Sequence, residues 1–393
     1  MSRDVYLDNA AATPIAKEVK KEMDRGMALY GNPSSYNDIG REARKALEEA
    51  RLKVARFLGA HSQEVVFTSS GTEANNLAIR GVLGSLASKS EIITTPIEHP
   101  SVLESIKNQV QGRTLYLRVD KHGLIDPEDL RKKLTSKTVF VSVMYANNEI
   151  GTIEPIREIS RIIKEIKNTK YDIRNTIYPL FHVDACQAAG YLDINVNRLG
   201  VDLLTFNGTK IYGPRGIGVL YVRRGVKLEP QTSGGDQEFG LRAGTENLPA
   251  ILGLAKAVEL VKHRMFNTKE TKLRDYFIKQ LQIKLPEAVL NGSVGNLRLA
   301  NNVSISFPDL SSENILLELD KYGIYAGSGS ACTARSVEPS HVLKAIEARP
   351  RYINGTIRFS LGRQTTKKDI DYVLKVLPKI ISDLKKRYKK AGN

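Results

Sequence analysis

The sequence predicts an α/β fold: a large unit built on a mostly parallel central sheet, followed by a smaller α+β unit. Three observations carry this. Short apolar runs alternate with amphipathic helical stretches through residue 250. The run 139–143, Val-Phe-Val-Ser-Val, is apolar nearly throughout, as a strand buried on both faces would be. Beyond residue 255 the alternation gives way to helices with two strand-like pieces interleaved.

Taken in order, strands are expected over 64–68, 91–95, 114–118, 139–145, 178–183, 203–206 and 218–221. Between them, helices are expected over 40–58, 100–109, 127–134 and 155–168. Pro100, Pro127 and Pro155 stand where a first helical turn begins, which suits proline's fixed φ and missing N–H. A long helix follows over 249–266, then helices over 269–284, 312–322, 340–347 and 367–386, with strand-like pieces at 302–307 and 356–360. The boundary falls near residue 255. It gives a large unit over 14–255 and a small unit over 256–393 that also takes in 1–13.

With 393 residues the chain is long enough for two cores. No apolar run approaches the roughly 18 residues of a membrane span, and the start MSRDVYLDNAA lacks a basic-then-apolar signal pattern, so a cytoplasmic address is expected. The net charge is +16, from 59 basic and 43 acidic residues. These are spread along the chain apart from a run at Lys385, Lys386, Arg387, Lys389 and Lys390, and no zinc-finger or aromatic-basic RNA motif accompanies them. Surface charge is therefore expected rather than a nucleic-acid partner. Two cysteines, Cys186 and Cys332, exclude a disulfide framework, and no metal site is expected.

In an open α/β sheet, ligands bind beyond the carboxyl ends of the strands. Polar residues cluster there. After Val-Val-Phe comes Thr68-Ser69-Ser70-Gly71-Thr72-Glu73-Ala74, leading into a helix; small residues at such a turn suit a phosphate, or an ordinary helix cap. His99, then Asn147-Asn148-Glu149, Asp184 with Gln187, and Asn207-Gly208-Thr209-Lys210 follow later runs. A carboxylate closing one buried strand and a lysine closing the next suit a pyridine aldehyde cofactor. The lysine can form an imine, and the aspartate can keep a ring nitrogen protonated, making the ring an electron sink.

The segments YLDNAAATP, YGNPSSYNDIGREARKALEEAR, FTSSGTEANN, ANNEIG, HVDACQ, KIYGPRGIG, LRAGTEN, GSGSACT and IRFSLGR resemble those of cysteine desulfurases, in order, over residues 5–380. The form GSGSACT is similar to the housekeeping and nitrogen-fixation-associated branch. The resemblance implies a dimeric fold-type-I transferase, of the aminotransferase class-V kind, that uses pyridoxal 5'-phosphate. Lys210 would be the Schiff-base lysine, Asp184 the ring-nitrogen partner and His99 the stacking acid/base. Asn148 and Gln187 would bond the phenolic oxygen. Gly71 and Thr72 would hold the phosphate, with Thr245 reaching over from the other subunit. Arg358, with Asn148, would bind the substrate carboxylate, and Cys332 would accept sulfur. Cys332 lies in a glycine-, serine- and alanine-rich stretch, too small and polar for core, whereas Cys186 follows Asp184 closely and is expected only to pack beside the cofactor.

Two departures stand out. Where the family writes Ser-x-His-Lys, this chain has Asn207-Gly208-Thr209-Lys210, replacing two phosphate anchors while keeping hydrogen-bond donors at 207 and 209. The stretch 166–179 is longer than the family pattern and is expected as a surface loop. The expected reaction takes L-cysteine to L-alanine and leaves an enzyme persulfide, for iron–sulfur cluster assembly or other sulfur delivery to an acceptor protein such as an iron–sulfur scaffold. The alternatives are a selenocysteine lyase and a weakly catalytic sulfur-carrying scaffold of the same fold.

Overall fold

The computed structural model describes residues 4–84, 90–109, 113–169, 179–261, 269–329 and 339–391. Within them, strands in chain order are β1 (Val5–Tyr6), β2 (Val65–Thr68), β3 (Glu91–Thr94), β4 (Arg113–Tyr116), β5 (Thr138–Ser142), β6 (Leu180–Asp184), β7 (Leu203–Asn207), β8 (Gly218–Val222), β9 (Val289–Leu290), β10 (Asn302–Ser306), β11 (Ile324–Tyr325) and β12 (Thr356–Ser360). Seven form one sheet in the order β2-β8-β7-β6-β5-β3-β4. It is parallel except for β8, which runs antiparallel to both its neighbours. The expectation of a mostly parallel sheet is borne out. Central strands are buried at every residue in β6 and β8, which is why they read as continuous apolar runs rather than alternating ones.

The register sets the site. Asp184 ends β6 opposite Thr205, and Asn207 ends β7 opposite Gly218. Thr68, ending β2, also faces Gly218. A Cβ on Gly218 would lie 2.4 Å from the Ser70 backbone, so only glycine lets the turn after β2 close over this edge.

A second core gathers Val5 and Leu7 with residues from Leu273 to Leu384. Its sheet is β12-β10-β9, antiparallel, with Phe277 of the helix Lys269–Lys284 packed on Phe359 at a ring separation of 5.2 Å. β1 pairs in parallel with β11, so the first residues complete a layer made by the last hundred.

Several expectations need correction. The helix expected over 249–266 is Leu248–Leu260, ending in an extended Val261; residues 262–268 lie outside the described residues. Residues 166–168 fall under both the expected helix 155–168 and the expected loop 166–179; the helix Ile156–Thr169 takes them, because Ile166 still faces the core, and 170–178 lie outside the described residues. The helix Lys17–Ala28 was not expected: only Val19 and Gly26 are buried in it, so its apolar signal is slight.

Candidate active site

Beyond the carboxyl edge of β6 and β7 lies a cavity of about 170 Å³. Gly71, Thr72, His99, Asn148, Asp184, Gln187, Asn207, Lys210 and Arg358 all line it. These come from six separate sequence segments, and nearly all the expected site residues therefore converge. Thr245 does not: it lines a second cavity with Ser69, Arg242 and Glu246. Thr209 lines neither; its carbonyl accepts from Thr13 N at 2.9 Å and Thr13 Oγ1 at 2.8 Å. Cys332 lies outside the described residues.

Lys210 follows β7 in a single 3₁₀ turn, Gly208–Lys210, and its Nζ donates to Ala11 O at 2.6 Å. Asp184 is 5% exposed. Its Oδ1 accepts from Cys186 N at 2.9 Å and its Oδ2 from Asn75 Nδ2 at 2.8 Å. The Asn75 amide also donates to Ser101 Oγ at 2.9 Å, and Ser101 Oγ lies 2.8 Å from His99 Nδ1. Because Ser101 N–H donates to that same Nδ1 at 3.1 Å, the neutral imidazole carries its proton on Nε2. Burial pushes His99 below its usual range, against the opposing pull of Asp184. The adjoining Glu98 is fully buried, and burial pushes its carboxyl well above the usual range despite the Met144 N–H at 2.7 Å.

The helix Gly71–Leu83 begins at the cavity, capped by Ser70 Oγ accepting from Glu73 N. A Cβ on Gly71 would lie 2.7 Å from Cys186 Sγ and 2.9 Å from Asn207 Nδ2. Asn207 Nδ2 reaches Cys186 Sγ at 3.4 Å, while its buried Oδ1 has no hydrogen-bond partner among the described residues. Burial, followed by the nearby Asp184 charge, pushes the Cys186 thiol well up, so it stays an S–H. Arg358, 2% exposed, donates from Nη1 to Asn148 O at 2.9 Å and from Nη2 to Asp8 Oδ1 at 2.8 Å; its Nε has no partner among the described residues.

Sequence reasoning missed Asn75, Ser101 and Asp8. Asn75 stands one helical turn after Gly71, and so on the same face, which was the available signal. Nothing in the sequence pairs Asp8 with Arg358.

The aminotransferase class-V model matches residues 5–373. The chain belongs to the aminotransferase class-V family. Among its class-V relatives, the cysteine desulfurase IscS of Dictyoglomus turgidum is 48% identical over 391 residues, spanning 98% of this chain and 96% of its own length. The cysteine desulfurase IscS of Methanosarcina thermophila is 45% identical over 390 residues, with 98% and 93% covered. Among solved structures, a NifS-like protein is 36% identical with a TM-score of 0.87, over 97% of this chain and all of the other (100%). SspA in complex with cysteine is 32% identical with a TM-score of 0.78, covering 91% of this chain and 98% of its own. The resemblance read from the motifs is thereby borne out, and the class-V family implies a pyridoxal-phosphate enzyme. No helix among the described residues is long and apolar enough to cross a membrane.

Proposed function

We propose that this chain is a pyridoxal-phosphate-dependent cysteine desulfurase, converting L-cysteine to L-alanine while Cys332 takes the sulfur. The observation that carries the reading is the convergence of Lys210, Asp184 and Arg358 on one cavity.

The residues fit the cofactor. Its phosphate suits the first N–H groups of the helix Gly71–Leu83, where Gly71 leaves room that a side chain would fill. The orphaned Asn207 Oδ1 supports the same fit. With the amide turned over, Oδ1 takes the Cys186 S–H and Nδ2 is left to donate to a phosphate oxygen. Asp184, held by Asn75 and the Cys186 N–H, presents a fixed negative charge for a protonated ring nitrogen. When bound, the cofactor supplies an electron sink for charge developed at the substrate α-carbon.

The chain's own groups do the rest. Lys210 Nζ would hold the cofactor covalently at rest and then serve as the base for the α-proton. Neutral His99 presents Nε2–H over the same space. Arg358 receives the substrate carboxylate, its guanidinium already oriented by Asp8 and Asn148. The Cys332 thiolate attacks the substrate sulfur. An S–S bond forms, the substrate C–S bond breaks with its electron pair going to carbon, and protonation of that carbon, with return of the α-proton from Lys210 to the α-carbon, gives alanine. No external oxidant or reductant enters the balance.

The homodimer belongs to the proposal. Thr245 lies outside its own chain's main cavity, as suits a residue serving a partner's site. A protein sulfur acceptor such as an iron–sulfur scaffold and a cytoplasmic setting are proposed on the kinship with the cysteine desulfurases named above. The joining of residues 1–13 to the small unit is supported by Val5 and Leu7, which sit in the second core, while the first core runs past the proposed division at 255 to take in Ala257, Val258 and Val261. The test is direct: the pure protein, loaded with pyridoxal phosphate, is incubated with L-cysteine and a reductant. Equal amounts of alanine and sulfide are expected; their absence would overturn the reading.

A further inference from the structure

Glu149 is 2% exposed and has no part in the chemistry above. Its surroundings are specific. Oε2 accepts from Ser340 Oγ at 2.6 Å. The same oxygen abuts Gly329, buried and with φ +60°, where a Cβ would lie 2.9 Å from it. Gly329 and Ser340 flank the stretch that carries Cys332. One carboxylate oxygen thus touches the chain where it enters that stretch and where it returns.

The Glu149 backbone is itself held from behind. Glu149 N donates to Asn147 Oδ1 at 2.8 Å, and Asn147 Nδ2 donates to Ile97 O at 2.9 Å. Glu149 O accepts from Asn302 Nδ2 at 3.1 Å, and Asn302 Oδ1 accepts from Arg298 Nη1 at 2.7 Å. Arg298 and Asn147 are both essentially buried, so these bonds are shielded from water. The neighbour in sequence, Asn148, lines the cavity and gives its carbonyl to Arg358. A single rigid turn therefore fixes the substrate-carboxylate arginine on one side and both ends of the cysteine-bearing stretch on the other.

We propose that Glu149 is a positioning residue for sulfur transfer: it registers the two ends of the stretch carrying Cys332 against the Asn148–Arg358 side of the cavity. The proposal rests on the desulfurase reading and on Cys332 as sulfur acceptor. A merely structural Glu149 would weaken the fold, and with it cofactor and substrate binding alike. A positioning Glu149 would spare binding and slow transfer.

The experiment uses the loaded holoenzyme. In Glu149→Ala, the cysteine-induced change in the cofactor spectrum should keep its amplitude and its concentration midpoint, while alanine release and persulfide on Cys332 fall about tenfold or more, the scale of one lost hydrogen bond to a charged group. Ser340→Ala, a milder change, should lower release in the same direction. Glu149→Gln, which keeps an oxygen for Ser340 Oγ, should recover most of it. Alanine release from Glu149→Ala at the wild-type rate, or a fall in release matched by an equal fall in the spectral response, would overturn the proposal. Cys332→Ala in the same assay keeps the two readings apart. If it releases alanine normally, the sulfur-acceptor assignment falls first. If it is inactive while Glu149→Ala and Ser340→Ala are both normal, only the positioning role falls.

Discussion

Asn75 Nδ2 donates to Asp184 Oδ2 at 2.8 Å, across 109 positions of sequence. Through its second hydrogen the same amide reaches Ser101 Oγ, which borders His99 Nδ1. Replacing Asn75 by alanine leaves Asp184 short of one donor and loosens the histidine. Cofactor affinity should fall roughly tenfold, the effect of about 1.4 kcal/mol. Asn75→Asp sets a like charge beside Asp184 and should be worse. Titration of the apoprotein with pyridoxal phosphate measures both; equal affinity in all three proteins would remove Asn75 from the site.

Lys210 is the only lysine lining the cavity among the described residues. The loaded protein should show a visible absorbance band that borohydride abolishes, with the reduced adduct mapped by mass spectrometry to Lys210. An adduct on another lysine would sink the assignment.

The guanidinium of Arg358 already spends one nitrogen on Asn148 O and another on Asp8. A lysine cannot hold both neighbours and still present a flat pair of donors. Arg358→Lys should raise KM for L-cysteine about tenfold or more and lower kcat much less, as loss of ground-state binding does. A fall in kcat at unchanged KM would mean that Arg358 acts on the reacting atoms instead.

Of the two thiols, Cys186 is held protonated by burial and by Asp184. Brief alkylation of the native protein at neutral pH should therefore modify Cys332 and leave Cys186 unmodified. Cys186→Ala should keep most alanine release, whereas Cys332→Ala should lose it while still showing the spectral response to cysteine. Loss confined to Cys186→Ala would reverse the two roles.

Glu154 is 2% exposed, and burial pushes its carboxyl from 4.5 to about 8. It is neutral in the folded chain and ionised when unfolded over the intervening range. The unfolded state therefore releases a proton that the fold retains, and stability is lost as pH rises from 4.5 toward 8, by an amount on the order of 5 kcal/mol. Glu154→Gln keeps an acceptor for Ile125 N–H and cannot ionise. Its stability relative to wild type should climb between pH 5 and pH 8 in denaturant melts. A pH-independent difference would show that Glu154 titrates normally.

Much of this molecule was legible in its sequence, for identifiable reasons. The helices at 100–109 and 269–284 and the strand 356–360 appear at their expected bounds, because proline, charge and apolar spacing mark them locally. Asp184, Asn207 and Lys210 were readable as strand-end residues, since a buried strand announces where it stops. The direction of β8 was not, because periodicity is the same run forwards or backwards. Asp8, Asn75 and Ser101 were missed for a related reason. Each acts by supporting another side chain, and such pairings are set by tertiary register.

The pairing of β1 with β11 also has a consequence for biosynthesis. Val5 and Asp8 leave the ribosome long before Ile324 and Arg358, with which they pair. Between these contacts, Ala10 and Ala11 line the cavity, and their carbonyls take Gln187 Nε2 and Lys210 Nζ. Arg358, which also lines the cavity, is made last of its lining residues, so a nascent chain holds Lys210 without its full enclosure. Capture of pyridoxal phosphate is therefore expected to be a late event, following completion of the polypeptide. A bulky fusion ahead of Val5 should register first in the rate of cofactor uptake.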